Sequence, residues 1–227
     1  MLYKMSYPIV NDISKWQSTA DFTVMREKSA GVILRAGPDN GSWEDKQFRG
    51  WRDECEKVNF TYGNYWYYLG NIPPKQQAQY WSSIIGDRHG ALGCWLDLEH
   101  SLDHENNTYL KWWDCVAYFK QLQPNAVLGI YTRASYFNDP KWKVPANHAF
   151  RNLPLWVAHY GADKPDMPKG WTDWTLWQFS ENGDGHAYGV GSWRIDTNYL
   201  KSDIVTTEKV SHMTANFQGI QVEYKQA

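Results

Sequence analysis

Between Pro8 and Thr132 the sequence alternates short runs rich in Val, Ile, Tyr and Trp with longer runs patterned for helices. Candidate strands fall at Pro8 to Asp12, Gly31 to Ala36, Phe60 to Tyr67, Leu92 to Asp97 and Val127 to Thr132, and candidate helices at Asp21 to Ser29, Glu44 to Val58, Pro74 to Ile85 and Glu105 to Leu122. In the last helix Leu110, Trp113, Val116, Ala117 and Leu122 mark an apolar stripe, opposed by Lys111, Asp114 and Lys120. Strand and helix in alternation imply βαβ units, a parallel sheet and right-handed crossovers. From about Leu153 onward the pattern changes. Leu155 to His159, Thr175 to Phe179 and Arg194 to Asn198 follow one another through Gly/Pro/Asp loops with little room for crossover helices. The expected fold class is α/β: an irregular TIM-like β/α barrel with parallel βα units first and hairpin-like strands in the last third. One domain is expected over residues 1–204. The polar tail at 205–227, where Ile220, Val222 and Tyr224 alternate, is either an added strand or a frayed end.

Charge narrows the function classes. Lys and Arg total 23 against 25 Asp and Glu, a net charge of −2 with no basic block, so phosphate neutralisation is excluded as the main binding force and nucleic acid is not an expected partner. No stretch approaches 18 apolar residues in a row, and Met1 to Ser6 runs into a strand-like segment without a signal-peptide core, so neither membrane insertion nor export by a leader is expected. Cys55, Cys94 and Cys115 are odd in number and far apart, which predicts reduced, mostly buried thiols and no Cys-based metal site. His100 and His104, with Asp103 and Glu105 beside them, lack a marked third ligand and read as a polar loop, so no metal is expected.

The acidic residues sit where a parallel barrel carries its functional face, at the C-terminal ends of strands. Asp12 closes the first strand, Asp97 and Glu99 close Cys94-Trp-Leu-Asp-Leu-Glu99, and Asp196 lies within Trp193-Arg-Ile-Asp-Thr-Asn198. Period-two alternation puts Asp97 and Glu99 on one side of their strand. A negative neighbour and apolar surroundings raise a carboxyl pKa, so one acid can stay protonated while its neighbours ionise. Glycoside hydrolysis asks for that combination. An Asp-x-Glu by itself equally describes surface acids beyond a strand end.

The segments Asp12-Ile-Ser-Lys-Trp-Gln17, Val32-Ile-Leu-Arg-Ala36, Tyr65-Trp-Tyr67, Trp95-Leu-Asp-Leu-Glu99, Ile130-Tyr-Thr-Arg133, Leu155-Trp-Val-Ala-His-Tyr160, Trp174-Thr-Leu-Trp-Gln-Phe179 and Ile195-Asp-Thr-Asn198 occur in the order expected for glycoside hydrolase family 25. Over residues 7 to 200 the chain resembles these N-acetylmuramidases, or lysozymes. The resemblance implies cleavage of the β-1,4 bond from N-acetylmuramic acid to N-acetylglucosamine in peptidoglycan, without a cofactor. By its motif Glu99 is similar to the general acid/base and Asp97 to the residue that tunes it or steadies the substrate N-acetyl group; Asp12 and Asp196 match the remaining acids of a four-carboxylate floor. The resemblance leaves open a covalent glycosyl intermediate or attack by the substrate's own acetamido oxygen, and the second, with retention, is favoured. Chitinase-like barrels also end a strand with Asp-x-Glu, but the longer Asp-rich run before their acid is absent from Ala91-Leu-Gly-Cys-Trp-Leu96.

The aromatic content, 14 Trp, 15 Tyr and 8 Phe, supplies candidates for sugar stacking as well as for packing. Tyr65, Tyr67 and Trp177 are assigned to the groove, and Tyr131, Arg35 and Asn198 complete the expected substrate contacts. His159 and Tyr160 serve either sugar hydroxyls or structure. Arg35 and Arg133 follow apolar strand runs, and at least one is expected to pair with the acidic floor. The expected partner is the bacterial peptidoglycan glycan strand, bound by a monomer with no separate wall-binding domain. Synthesis in a host cytoplasm followed by release to the wall, as for phage endolysins, or packaging in a virion, fits the lack of a leader. The alternative from another class is a non-catalytic peptidoglycan-binding or virion structural domain of the same fold.

Overall fold

A computed structural model describes residues 7–39, 42–100 and 104–201 of the chain. The tail at 205–227 and Asp103 lie outside the described residues. Eight strands close into a barrel in chain order: β1 (Ile9–Ile13), β2 (Gly31–Gly37), β3 (Tyr62–Tyr67), β4 (Cys94–Asp97), β5 (Leu128–Thr132), β6 (Leu155–Ala158), β7 (Leu176–Asp184) and β8 (Arg194–Leu200). Neighbours from β1 to β7 run parallel, and β8 is antiparallel to both β7 and β1, where it closes the barrel. The hairpin-like strands expected in the last third are β7 and β8. β6 and β7 are still parallel, joined by a loop long enough to cross back without a helix, and only β7 and β8 form a hairpin.

Strand alternation sorts side chains into two packed regions. Val10, Ile33, Trp95, Tyr131, Trp156, Ala158, Leu176 and Leu200 fill the barrel, with Tyr65 packed against them. Where such interiors are more often layered with branched aliphatics, this one is plugged by rings. Trp156 meets Tyr65, Trp95 and Tyr131 edge-on at centroid distances of 6.2, 5.8 and 4.6 Å. The Trp95 ring comes so close to Gly129 that a Cβ there would lie 2.3 Å from it, which is why β5 carries glycine at that point. Outward-facing residues such as Val32, Leu34, Trp66, Leu96, Ile130 and Val157 pack beneath the helices.

The helices are α1 (Phe22–Met25), α2 (Phe48–Lys57), α3 (Pro74–Ile85), α4 (Tyr109–Leu122) and α5 (Ala134–Phe137). The Asp21 side chain caps α1 by accepting from the Thr23 and Val24 N–H groups, and Pro74 opens α3, where a missing N–H costs nothing. The apolar stripe expected on α4 is rotated. Leu110 is 70% exposed and Leu122 39%, while Tyr109, Trp112, Trp113, Cys115, Val116 and Phe119 face the core. On this face Trp112 has a polar anchor as well as apolar contacts, its Nε1 donating to Asn107 Oδ1 at 2.9 Å. Cys55, Cys94 and Cys115 are buried and unpaired.

Candidate active site

Asp12, Asp97, Glu99, Glu181 and Asp196 line one open cleft of about 220 Å³ at the C-terminal ends of the parallel strands. Tyr65, Tyr131, Trp156, Tyr160 and Gln178 complete its walls, and Arg133 is the one basic side chain among the lining residues. Five carboxyls facing one guanidinium cannot all ionise without strong mutual repulsion, so the cleft must hold protons at neutral pH.

The strands fix each acid. On β4, Cys94, Leu96 and Leu98 face the outer core while Trp95 and Asp97 face in, so Asp97 and Glu99 are successive inward positions. Asp97 is buried, and its Oδ1 has no hydrogen-bond partner among the described residues. Burial, then the charges of Glu99 and Asp12, push its carboxyl well above the usual range. Glu99 sits higher, with its side chain 26% exposed, and Arg133 Nη2 donates to its Oε2 at 2.9 Å.

Asp12 and Asp196 are register partners across β1 and β8 and are hydrogen-bonded to one another. Two carboxyls can share a hydrogen bond only if one carries the proton. Burial and the adjacent Asp12 raise Asp196 to about 9, whereas Asp12 rises to about 6 by burial, held back by donors from Asn198 and Gln178. Both donors reach Asp12 Oδ2, Asn198 Nδ2 at 2.8 Å and Gln178 Nε2 at 3.0 Å. Asn198 is set in turn by Trp156, whose Nε1 donates to its Oδ1 at 2.7 Å. The Gln178 Oε1 accepts from Tyr131 at 2.8 Å and from Tyr160 at 2.7 Å, so one amide links β1, β5 and the end of β6.

Of the expected substrate contacts, Tyr65 and Tyr131 line this cleft. Trp177 does not, and its assignment to the groove is corrected. The ring points outward into the core under the loops, where Nε1 donates to the His159 carbonyl at 2.8 Å, and its inward neighbour Gln178 takes the cleft position. Asn198 is also corrected as a direct contact. It is fully buried, with both ends of its amide engaged by Trp156, Val10 and Asp12. Arg35 and Tyr67 line a neighbouring cavity with Trp16, Pro38, Asp39 and Leu69. Arg35 is held there by Asp45, with Nε and Nη2 each 2.8 Å from Oδ2, so the guanidinium that meets the acidic floor is Arg133.

Gln178 and Glu181 were not singled out by sequence. Parity along β7 carries half the signal, since Trp177 and Gln178 must face opposite ways, while Glu181 reaches the cleft from a β7 extension whose pairing with β8 is irregular. The His100 and His104 rings stack at 5.9 Å, and His100 Nδ1 accepts the Gly70 N–H at 3.3 Å. Among the described residues no group of three or more His, Cys, Asp or Glu is arranged to hold a metal ion. Nor is any helix among them long and apolar enough to cross a membrane.

A profile of the family described as "Glycosyl hydrolases family 25" matches residues 11–187. Two curated relatives are an autolytic lysozyme of Clostridium acetobutylicum, 22% identical over 76% of this chain and 50% of its own length, and lysozyme M1 of Streptomyces globisporus, 26% identical over 76% of this chain and 61% of its own. The chain thus spans about half to three-fifths of those relatives. Among solved structures, the fold is similar to that of a spore cortex lytic enzyme of Clostridium perfringens (TM-score 0.74, 22% identity, covering 88% of this chain and 69% of that one). It is also similar to a bacterial lysozyme of Streptomyces coelicolor (TM-score 0.71, 22% identity, covering 94% and 100%).

Proposed function

The chain belongs to glycosyl hydrolases family 25, and from that premise we propose that it is a lysozyme that cleaves the β-1,4 bond between N-acetylmuramic acid and N-acetylglucosamine in peptidoglycan. The observation that carries this reading is the stacking of Asp97 and Glu99 on one inward strand face, the first buried with its carboxyl pushed well above the usual range, the second at the mouth. An acid at the mouth meets the glycosidic oxygen; a buried proton below it supplies what the acid must deliver.

In this mechanism the proton on Asp97 passes to Glu99, and Glu99 gives it to the leaving oxygen as the bond from the anomeric carbon breaks. Asp97, now ionised with a free Oδ1, accepts the acetamido N–H of the substrate and aims the acetamido oxygen at that carbon, closing a cyclic intermediate with retention. Water then opens it, with Glu99 taking the water's proton. The Asp12–Asp196 pair, locked by Asn198 and Gln178, forms the fixed anionic wall beside the developing positive charge. Tyr65 and Tyr131 offer ring faces and hydroxyls to the sugar.

Digestion of purified peptidoglycan, borohydride reduction of the products and identification of the reduced sugar test the reading. Muramitol supports it; glucosaminitol means a glucosaminidase; no new reducing ends means a non-catalytic wall-binding domain. The narrower role of phage endolysin, made in the host cytoplasm, belongs to the same proposal. It predicts lysis of a producing cell only when a membrane pore is made alongside.

A further inference from the structure

Beside the acid cleft, and sharing Arg133 and Tyr160 with it, lies a second cavity of about 330 Å³ walled by Ala134, Ser135, Ala158, His159 and Asp166. Its two charged walls are opposite in sign. Arg133 is half-exposed and, among the described residues, uses one of its five N–H donors, the one on Glu99. That leaves most of a planar fork facing open space. Asp166 is 81% exposed at the side chain, and its contact is with His159: its backbone N–H donates to Nδ1 at 2.8 Å and its carboxylate lies 3.8 Å from the same nitrogen. Ala134 and Ala158 give apolar surface between these charges, and the Ser135 and Tyr160 hydroxyls add hydrogen-bonding positions.

An uncharged stretch of polysaccharide has no group that matches a cation and an anion on two sides of one cavity. A short peptide does. Muramic acid carries its peptide on a lactyl arm, and the acid cleft and the second cavity meet at Arg133 and Tyr160, which line both. We propose that the second cavity is a subsite for the peptide substituent of the glycan, with a peptide carboxylate on Arg133 and a peptide ammonium on Asp166. The proposal rests on the muramidase reading and deepens it. The donors of the Arg133 fork that Glu99 leaves open are the ones a peptide carboxylate would take.

The test compares kcat/KM on glycan strands that keep their peptides with kcat/KM on strands stripped by an amidase, within each protein, so that any effect on the chemical step cancels in the ratio. The wild-type chain is expected to favour peptide-bearing strands by about tenfold or more, the size of one charge-assisted hydrogen bond. In Arg133→Gln and in Asp166→Lys, both at exposed positions, the ratio is expected to fall close to one. A wild-type ratio near one, or a preference that persists in both variants, overturns the proposal. Cleavage of neither substrate by the wild-type chain sinks the muramidase reading instead, so the two failures are distinct.

Discussion

Asp12 and Asp196 face each other across the seam where the antiparallel last strand closes the barrel onto the first, and a side-chain hydrogen bond links their carboxyls. The arrangement carries a cost that depends on pH. A carboxyl whose folded-state pKa is raised stabilises the fold fully below its unfolded value near 4, and loses that contribution as pH rises through the folded value. For Asp196, raised to about 9, the window of loss runs from about pH 4 to about pH 9. Asp196→Asn supplies an amide donor to Asp12 and leaves nothing at position 196 to titrate. Melting midpoints of both proteins at pH 5 and pH 9 are expected to diverge in favour of the variant at pH 9, by about 2–4 °C for each kcal/mol relieved. An advantage no larger at pH 9 than at pH 5 would remove the shared proton from the account.

Glu99→Gln is expected to lower kcat on purified cell walls by about 10²–10⁴, the usual weight of a general acid/base. Its effect on stability is expected to be small, since a pair as open to solvent as Glu99 and Arg133 contributes about 0–1 kcal/mol. Turnover measured beside the melting midpoint separates the two. Near-full turnover in the variant would refute the mechanism.

Gln178 touches no expected reacting atom yet ties Asp12 to two tyrosines, which makes it a positioning residue. Gln178→Leu removes a donor that holds Asp12 down to about 6 and leaves Tyr131 without its acceptor. The expected outcome is a loss of about 1–3 kcal/mol in stability and an acidic limb of the kcat profile displaced to higher pH. Lower stability with an unmoved pH profile would reduce Gln178 to a structural role.

What could be read from sequence and what could not divides along physical lines. Asp97 and Glu99 were legible because alternation is a local property, and Leu96 and Leu98 between them say which face is the core. Trp177 and Gln178 were not. Period two says that they oppose each other, but which one faces in is set by the register of β7 on β8 and of β8 on β1, a closure made by residues some two-thirds of the chain away or more. On α4 the expected stripe shares Trp113, Val116 and Ala117 with the observed core face, but Leu110 and Leu122 lie outside it and Trp112 and Phe119 lie within it. The Arg35–Asp45 pairing is likewise tertiary, and nothing in Val32-Ile-Leu-Arg-Ala36 announces it.

His148 sets the opposite limit on stability, at acid pH. It is buried among Tyr109, Phe137, Phe150 and Trp171, with ring centroids 4.9 to 6.3 Å away. Its Nε2 lies 2.6 Å from the Lys169 carbonyl, which can only accept, so Nε2 holds the hydrogen and Nδ1 is bare, with no partner among the described residues. Protonation would place a second N–H in an aromatic box that offers it nothing, and burial accordingly lowers the pKa. A base with a lowered folded-state value contributes its stability above the unfolded value near 6.5 and loses it as pH falls through the folded one, at up to about 1.4 kcal/mol per pH unit. His148→Gln keeps an N–H for Lys169 and abolishes the titration. Because the raised carboxyls push stability the other way, the informative quantity is the difference between wild type and variant in chemical denaturation. The wild type is expected to be the more stable at pH 7.5, with its advantage shrinking steadily towards pH 5; a difference that stays constant over that range would show that the ring is charged or solvated within the fold.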